Sequence, residues 1–381
     1  MNLVFGLGAS GHPAPMKRAS RLGFLLSLAG LAGSLLAEEP MKNVAPDISI
    51  EQAQRWSEKF RNWHYYPDHV IPSSPEIEGV EGVHMTDVPT IFQLPGDPLY
   101  YMSFLGYDGR GYQSFIANSE NLVHWRNIRL AMSFGRDGEF DYGGVVIGAY
   151  QFEDYNLKTP RLLKKRDGKY HSLYLAFPRQ GGYELRPGGQ GLAASADGMT
   201  WERVKEEPIL SVFDEDCQDW EKDCIYLPWL VEHEDLFYNF YNAANGKLEQ
   251  MGLATSDDLY HWKRYAENPV LSNGQKGTYH QVFCSDAKVF RDEDHWSMFF
   301  FGVGQGGAHI MMAYSRDLEH WTIDPEPIYK SGGHPKGLDA QFAHKIAIVW
   351  NPINETFYMY YNAVGEKGRG IGLITNKPLE F

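Results

Sequence analysis

The chain has 381 residues, enough for one large domain or two ordinary ones, and a formal net charge of −14. That charge argues against a nucleic-acid partner, which needs a basic footprint to displace counterions from phosphates, and suits a neutral substrate better. With 14% aromatic residues, 39 glycines, 21 prolines and 22% charged residues, the composition excludes a disordered or coiled-coil chain and favours strands joined by turns.

In chain order, "MKRASRLGFLLSLAGLAGSLLAEEP" places Lys17, Arg18 and Arg21 ahead of an apolar run that ends near Ala37. This reads as a signal peptide over residues 1–37, with the natural start at Met16, and predicts a secreted or periplasmic protein with no membrane span after processing. Residues 38–81 read as an N-terminal helical and extended segment. Within it, "ISIEQAQRWSEKFRNWHYY" sets Ile50, Ala53, Trp56 and Phe60 at helical spacing.

From residue 82 to the end a pattern repeats. Four related phrases, "SENLVHW", "SADGMTW", "SDDLYHW" and "SRDLEHW", end on Trp125, Trp201, Trp262 and Trp321. Upstream of each lies an aromatic strand pattern, "YYMSFLG", "YHSLYLAF", "FYNFYNA" and "WSMFFFG", and a fifth copy is "FYMYYNAVG". Each is preceded by a short apolar run, "DVPTIF", "KTPRLL", "YLPWLV", "SDAKVF" or "HKIAIV". Units of about 60 residues with four strands each predict an all-β, five-bladed β-propeller with a short N-terminal helix that covers the first blade or one end of the ring. The Ser-to-Trp phrases read as hairpins whose tryptophans pack between blades. The insertion "FGRDGEFDYGGVVIGAYQFEDYN" reads as a rim loop.

Function is then sought where the copies differ. Aligning the five first strands places Asp87, Lys158, Tyr226, Ser285 and His344 in one ring, and Val88, Thr159, Leu227, Asp286 and Lys345 in the next. A further ring holds Gln113, Gln190, Gln250, His309 and Arg369, groups suited to sugar hydroxyls. Cleaving a glycosidic bond needs a proton donor for the leaving oxygen and a second group that activates water or attacks carbon. Asp87 and Asp286 are the first carboxylate candidates, then Asp223 in "EKDCIYLPW", with Asp141 and Glu184 from the loops "EFDYGG" and "GGYELRPGG". His344 is an alternative acid. Arg186, Lys158 and Lys345 are further substrate contacts, and Tyr226 and Trp229 can stack on a sugar ring. No cofactor is expected, although Asp87 and Asp286 carry the oxygen chemistry to ligate a central calcium ion instead. Cys217, Cys224 and Cys284 lack zinc spacing. A Cys217–Cys224 disulfide and three free thiols both remain open.

The five units, with "SDAKVFRDEDHW" and "AHKIAIVWNPINETFYMYYNAVGEKGRGIGLITNKP", resemble the five-bladed β-propeller glycosidases, the group holding glycoside hydrolase families 32, 43, 117 and 130. Ala287 and Ile346 stand where that group usually has proline. The resemblance implies an exported glycoside hydrolase with Asp87 as base, His344 or Asp223 as acid, and Asp286 holding the charge balance. The third blade has no Glu in register with the group's usual acid; Glu221 and Asp223 lie upstream. A family 130-like phosphorylase, with Arg179, Arg186 and Arg369 on phosphate, and a non-catalytic sugar-binding propeller are the alternatives.

Overall fold

The computed structural model describes residues 44–379. The predicted signal peptide lies outside the described residues, and among them no helix is long and apolar enough to cross a membrane. Strands follow one another as antiparallel meanders. Blade one is Met85–Gln93, Tyr100–Tyr107, Tyr112–Ser119 and Arg126–Met132. Blade two is Gly144–Tyr150, Lys169–Phe177, Gly189–Ser195 and Glu202–Arg203. Blade three is Cys224–His233, Leu236–Asn245, Leu248–Ser256 and Lys263–Arg264, and blade four is Phe283–Asp292, His295–Gly304, Gly307–Ser315 and Thr322–Ile323. Blade five is Phe342–Asn351, Thr356–Gly365 and Gly368–Thr375, completed by His64–Tyr65 from the other end of the chain. The first strands touch one another in cyclic order, with blade five returning to blade one, so the five sheets close a propeller around a channel.

Two expectations need correction. "KTPRLL" is not the inner strand of blade two; that strand is Gly144–Tyr150, inside the stretch that reads as a rim loop. An apolar run bounded by turn residues fits either segment, and pairing with Lys169–Phe177 decides it. The helix, Ile50–Ser57, packs on the outer strands of blade four and not on blade one. Trp56 stacks on His295 at 3.9 Å, and Ser57 Oγ lies 2.8 Å from the Tyr314 hydroxyl. Ile50, expected on the apolar face, is 56% exposed.

The repeated hairpin holds itself together. In "SDDLYHW", Ser256 Oγ accepts from the Leu259 amide at 3.0 Å, Asp258 Oδ1 accepts from the His261 amide at 2.9 Å, and Trp262 Nε1 donates to the Leu259 carbonyl at 2.9 Å. Such bonds oblige the fourth residue to turn left-handed: φ is 65° at Leu122, 72° at Leu259 and 70° at Leu318, with Gly198 at 78° in the copy that has glycine. Burial of the three leucines offsets the strain. Trp125 and Trp321 do reach across blades, edge-on to Tyr360 and Phe240.

All five inner strands carry a bulge at the same level, seen as a register shift after Asp87, Ile147, Ile225, Ser285 and His344. Three of the extra residues, Val88, Asp286 and Lys345, have φ of 51°, 54° and 51°. A bulge re-aims the side chains beside it and occurs preferentially next to functional sites. Here it gathers unlike polar groups from different blades at one end of the channel.

Candidate active site

Blades one and five supply a charge cluster. Asp87 is fully buried; its Oδ1 accepts from the Val88 amide at 2.7 Å, and its Oδ2 takes both Lys345 Nζ at 3.1 Å and the Arg369 guanidinium. Burial alone would raise the Asp87 pKa, but Arg369 and Lys345 outweigh it and hold the carboxyl well below the usual range. Arg369 is aimed by Asn362, whose Oδ1 accepts from Nε at 3.0 Å and whose amide donates to the Thr86 and Gly370 carbonyls. His344 lies between the rings of Phe301 and Phe342, and burial pushes its pKa down to about 3. It is therefore neutral across the ordinary pH range.

Blades two and three supply the second half. Glu249 opens the third strand of blade three where that strand meets the first strand of blade four, bridged to Phe283. It is 9% exposed, and its Oε2 accepts from Asn242 Nδ2 at 3.0 Å. Burial, then the charge of Glu184, push its pKa up to about 7, against the stabilising bonds of Ser285 and Asn242. Glu184 comes from the loop after Lys169–Phe177, with φ of 49°, and acts electrostatically on Glu249, Lys345 and Arg369 alike. That loop is held by Tyr183, whose ring packs edge-on against Tyr107 and Tyr112 and under Arg369. Tyr226 occupies its expected ring position, but it does not stack openly: it is 5% exposed, and its hydroxyl accepts from Arg186 Nε at 3.0 Å and Nη2 at 2.7 Å.

Deeper in the channel, Asp286 is buried with Oδ1 2.5 Å from Lys288 Nζ, and burial raises its pKa against the opposing pull of Lys288. Asp286 Oδ2 has no hydrogen-bond partner among the described residues. Lys288 lines two cavities that each offer about 10 Å³ for water centres, room for about one molecule. The residues do not fit a calcium ion: Asp87 is already paired with two cations, and a divalent ion on Asp286 would sit beside a buried ammonium. Among the described residues no cluster of His, Cys, Asp and Glu forms a metal site. All three cysteines are free thiols.

The structure brings Asp87, Asp286, His344, Lys345, Arg369, Tyr226, Arg186 and Glu184 near one another. The other candidates are committed elsewhere. Asp141 is buried and accepts from Tyr174 Oη at 3.1 Å and Arg203 Nε at 2.5 Å, the same brace that Glu221 makes with Tyr241 and Arg264 in blade three. Asp223 is exposed and accepts from the Gly246 amide, tying down a hairpin at the rim, 4.0 Å from Arg186. Gln113 donates to Ser133, Gln190 to the Tyr226 carbonyl, and Gln250 accepts from the Asn273 amide, while His309 lies between the Gln305 carbonyl and the Ser331 amide. Trp229 is core, donating to the Val289 carbonyl at 3.1 Å with Lys288 over its ring. Lys158, displaced with "KTPRLL", is exposed over Trp350. Glu249 is the buried carboxyl of this cluster that sequence reading did not single out. Its signal was its place beside Gln250, one residue along a strand and so on the opposite face.

Comparison with known proteins bears on the fold. The family described as Glycosyl hydrolases family 32 N-terminal domain matches residues 150–337. No curated protein matches the sequence. Among solved structures, one described as a BT0996 complex with RGII is 27% identical with a TM-score of 0.75, covering 87% of the present sequence and 96% of its own. Another, described as a glycoside hydrolase, is 26% identical with a TM-score of 0.75 over the same shares. A family 117 glycoside hydrolase from the marine bacterium Zobellia galactanivorans shares the fold at 14% identity, with a TM-score of 0.54 over 83% of the present sequence and 90% of its own. The closed ring and these likenesses give the protein the five-bladed β-propeller fold of glycosidases, and the family 32 model with the 26–27% identical structures makes it similar to glycoside hydrolases.

Proposed function

We propose that the protein is an exported glycoside hydrolase in which Glu249 is the general acid and Glu184 is the second carboxylate, activating water or attacking the anomeric carbon. The observation that carries this reading is the buried Glu249 carboxyl, pushed up to about 7 by burial and by the facing Glu184. A buried carboxyl that holds its proton beside a second carboxylate suits the role of general acid. Glu249 carries its proton near neutral pH and gives it to the departing glycosidic oxygen. Lys345 and Arg369 donate to substrate hydroxyls, and Asp87 keeps both cations in place; a buried carboxylate with both oxygens occupied is a poor base. His344, pushed down to about 3, has no proton to give at neutral pH. Asp223 binds a backbone amide on an exposed turn.

The phosphorylase alternative has less support. Arg369 is paired with Asp87, Arg186 is on Tyr226, and Arg179 donates to the Arg186 carbonyl, so the three arginines are already engaged separately. The substrate is a neutral or mildly anionic glycan, and RGII, named in the similar complex, heads the panel of glycans to test. Glu249→Gln is expected to abolish turnover of ordinary glycosides while sparing those with activated leaving groups, which need no proton. Full turnover of both by Glu249→Gln sinks the assignment.

A further inference from the structure

One residue of each second strand stands level with the inner-strand bulge: Leu105, Leu175, Asn242, Phe301 and Asn362 in blades one to five. On the third strands, two residues before the cross-strand partners of these five, stand Tyr112, Gly188, Glu249, Ala308 and Arg369. Such a diagonal is within reach of a pair of polar side chains. Where the third strand offers no charge, the second strand is apolar. Where it offers Glu249 or Arg369, the second strand has asparagine, and in both blades that asparagine bonds the ion. Asn362 Oδ1 accepts from Arg369 Nε at 3.0 Å, and Asn242 Nδ2 donates to Glu249 Oε2 at 3.0 Å.

Asn242 is 3% exposed, and its Oδ1 has no hydrogen-bond partner among the described residues. A buried amide left half satisfied costs stability that leucine, present at this place in blades one and two, does not. The amide therefore serves Glu249 rather than the packing of the blade. Glu249 also bonds Ser285, whose hydroxyl can donate to a carboxylate or accept from a carboxylic acid; the NH2 of Asn242 can only donate. An N–H aimed at Oε2 leaves Oε1 as the oxygen that takes the acid proton. The titratable groups that face Glu249 are Glu184 and Arg186 from the loop of blade two, Tyr226 from the inner strand of blade three and Lys345 from that of blade five.

We propose that Asn242 is a positioning residue of the general acid: by donating to Oε2 it fixes the carboxyl across the hairpin and keeps the proton on Oε1, the oxygen that serves the departing glycosidic oxygen. The inference rests on the role given to Glu249 above.

The test is Asn242→Leu, followed by the pH–rate profile of kcat/KM on RGII or on the first glycan of the panel that is cleaved, and by turnover of an aryl glycoside of the same sugar, whose leaving group needs no proton. Leucine is what blades one and two carry at this place, and the variant is expected to fold. An N–H donor favours the ionised carboxyl, so its loss raises the pKa of Glu249. The alkaline limb, on which the acid loses its proton, is expected to move to higher pH by about one unit with the acid limb in place. On the glycan kcat is expected to fall about tenfold with KM unchanged, while turnover of the aryl glycoside is retained. An alkaline limb that coincides with that of the parent, or equal losses on both substrates, overturns the inference. So does a limb that moves to lower pH, which means that Oδ1 faces Glu249 and accepts its proton. Asn242→Ala, which also lacks the donor, is expected to move the limb in the same direction, and an unmoved limb there counts equally against the inference. Glu249→Gln separates the two levels. If it loses the glycan while Asn242→Leu behaves as the parent does, the positioning role alone is wrong; if it cleaves the glycan normally, the acid assignment itself is wrong.

Discussion

Glu249→Gln makes a quantitative prediction about stability as well as activity. The carboxyl rises from an ordinary value of 4.5 to about 7 on folding. A carboxyl with a raised folded pKa binds its proton more tightly in the native state. Its relative stabilisation is therefore fully present below pH 4.5 and is lost as pH climbs through 7. That rise corresponds to about 3 kcal/mol, the penalty that an ionised Glu249 imposes on the fold at pH 8. At pH 5 most of that penalty is absent, about 1 kcal/mol remaining. Gln carries no charge and can still accept from Asn242 at the same place. The substitution is thus expected to stabilise the protein by about 3 kcal/mol at pH 8 and by about 1 kcal/mol at pH 5. For a domain of this size that is a rise in Tm of about 4 °C at pH 8 and about 1 °C at pH 5. Differential scanning calorimetry on parent and variant at the two pH values measures it. Equal shifts at both pH values, or a loss of stability at pH 8, would mean that Glu249 is not a strained acid, and the catalytic argument would fall with it.

Asp87→Asn leaves the half-buried Lys345 and Arg369 without a carboxylate and is expected to cost about 2–3 kcal/mol in chemical denaturation. His344→Gln is expected to leave both limbs of the pH–rate profile where they were between pH 5 and about 9, because the imidazole, pushed down to about 3, does not titrate there; a displaced limb restores His344 as an acid. Prolonged chelation with EDTA is expected to change neither Tm nor turnover, since Lys288 and not a metal neutralises Asp286; a drop recoverable with calcium contradicts that reading. Asp317→Ala removes the acceptor for the Glu319 and His320 amides and is expected to cost about 1–2 kcal/mol by urea titration without altering KM.

Much of this fold was legible because its periodicity is repeated: one aromatic strand looks ambiguous, but five at near-equal spacing with a hairpin phrase between them do not. The inner ring was legible too, since Asp87, Tyr226, Ser285 and His344 occupy the same bulge level in four blades. Blade two was misread because the segment 157–164 is as apolar as a strand. Its Arg161 is instead buried on the carbonyls of Asn156, Leu157 and Thr159 and lines one of the two small cavities beside Lys288. Glu249 escaped notice for a different reason. Which of Glu249 and Gln250 faces the channel is a question of strand phase, settled only by the seam with Phe283. The same limit applies to Asp141. A carboxylate that braces a sheet through Tyr174 and Arg203 has the same local sequence signature as one that handles protons.

The last blade borrows its outer strand from the opposite end of the polypeptide, where His64 and Tyr65 pair with Thr375 and Ile374. Synthesis runs from one to the other, so the early strand has no lasting partner until Gly368–Thr375 has been made. Assembly of the ring is therefore a late, long-range event, with the slow kinetics that distant pairings impose. Loss of either segment would open the blade that supplies Lys345 and Arg369, so the circumference and the pocket share one joint.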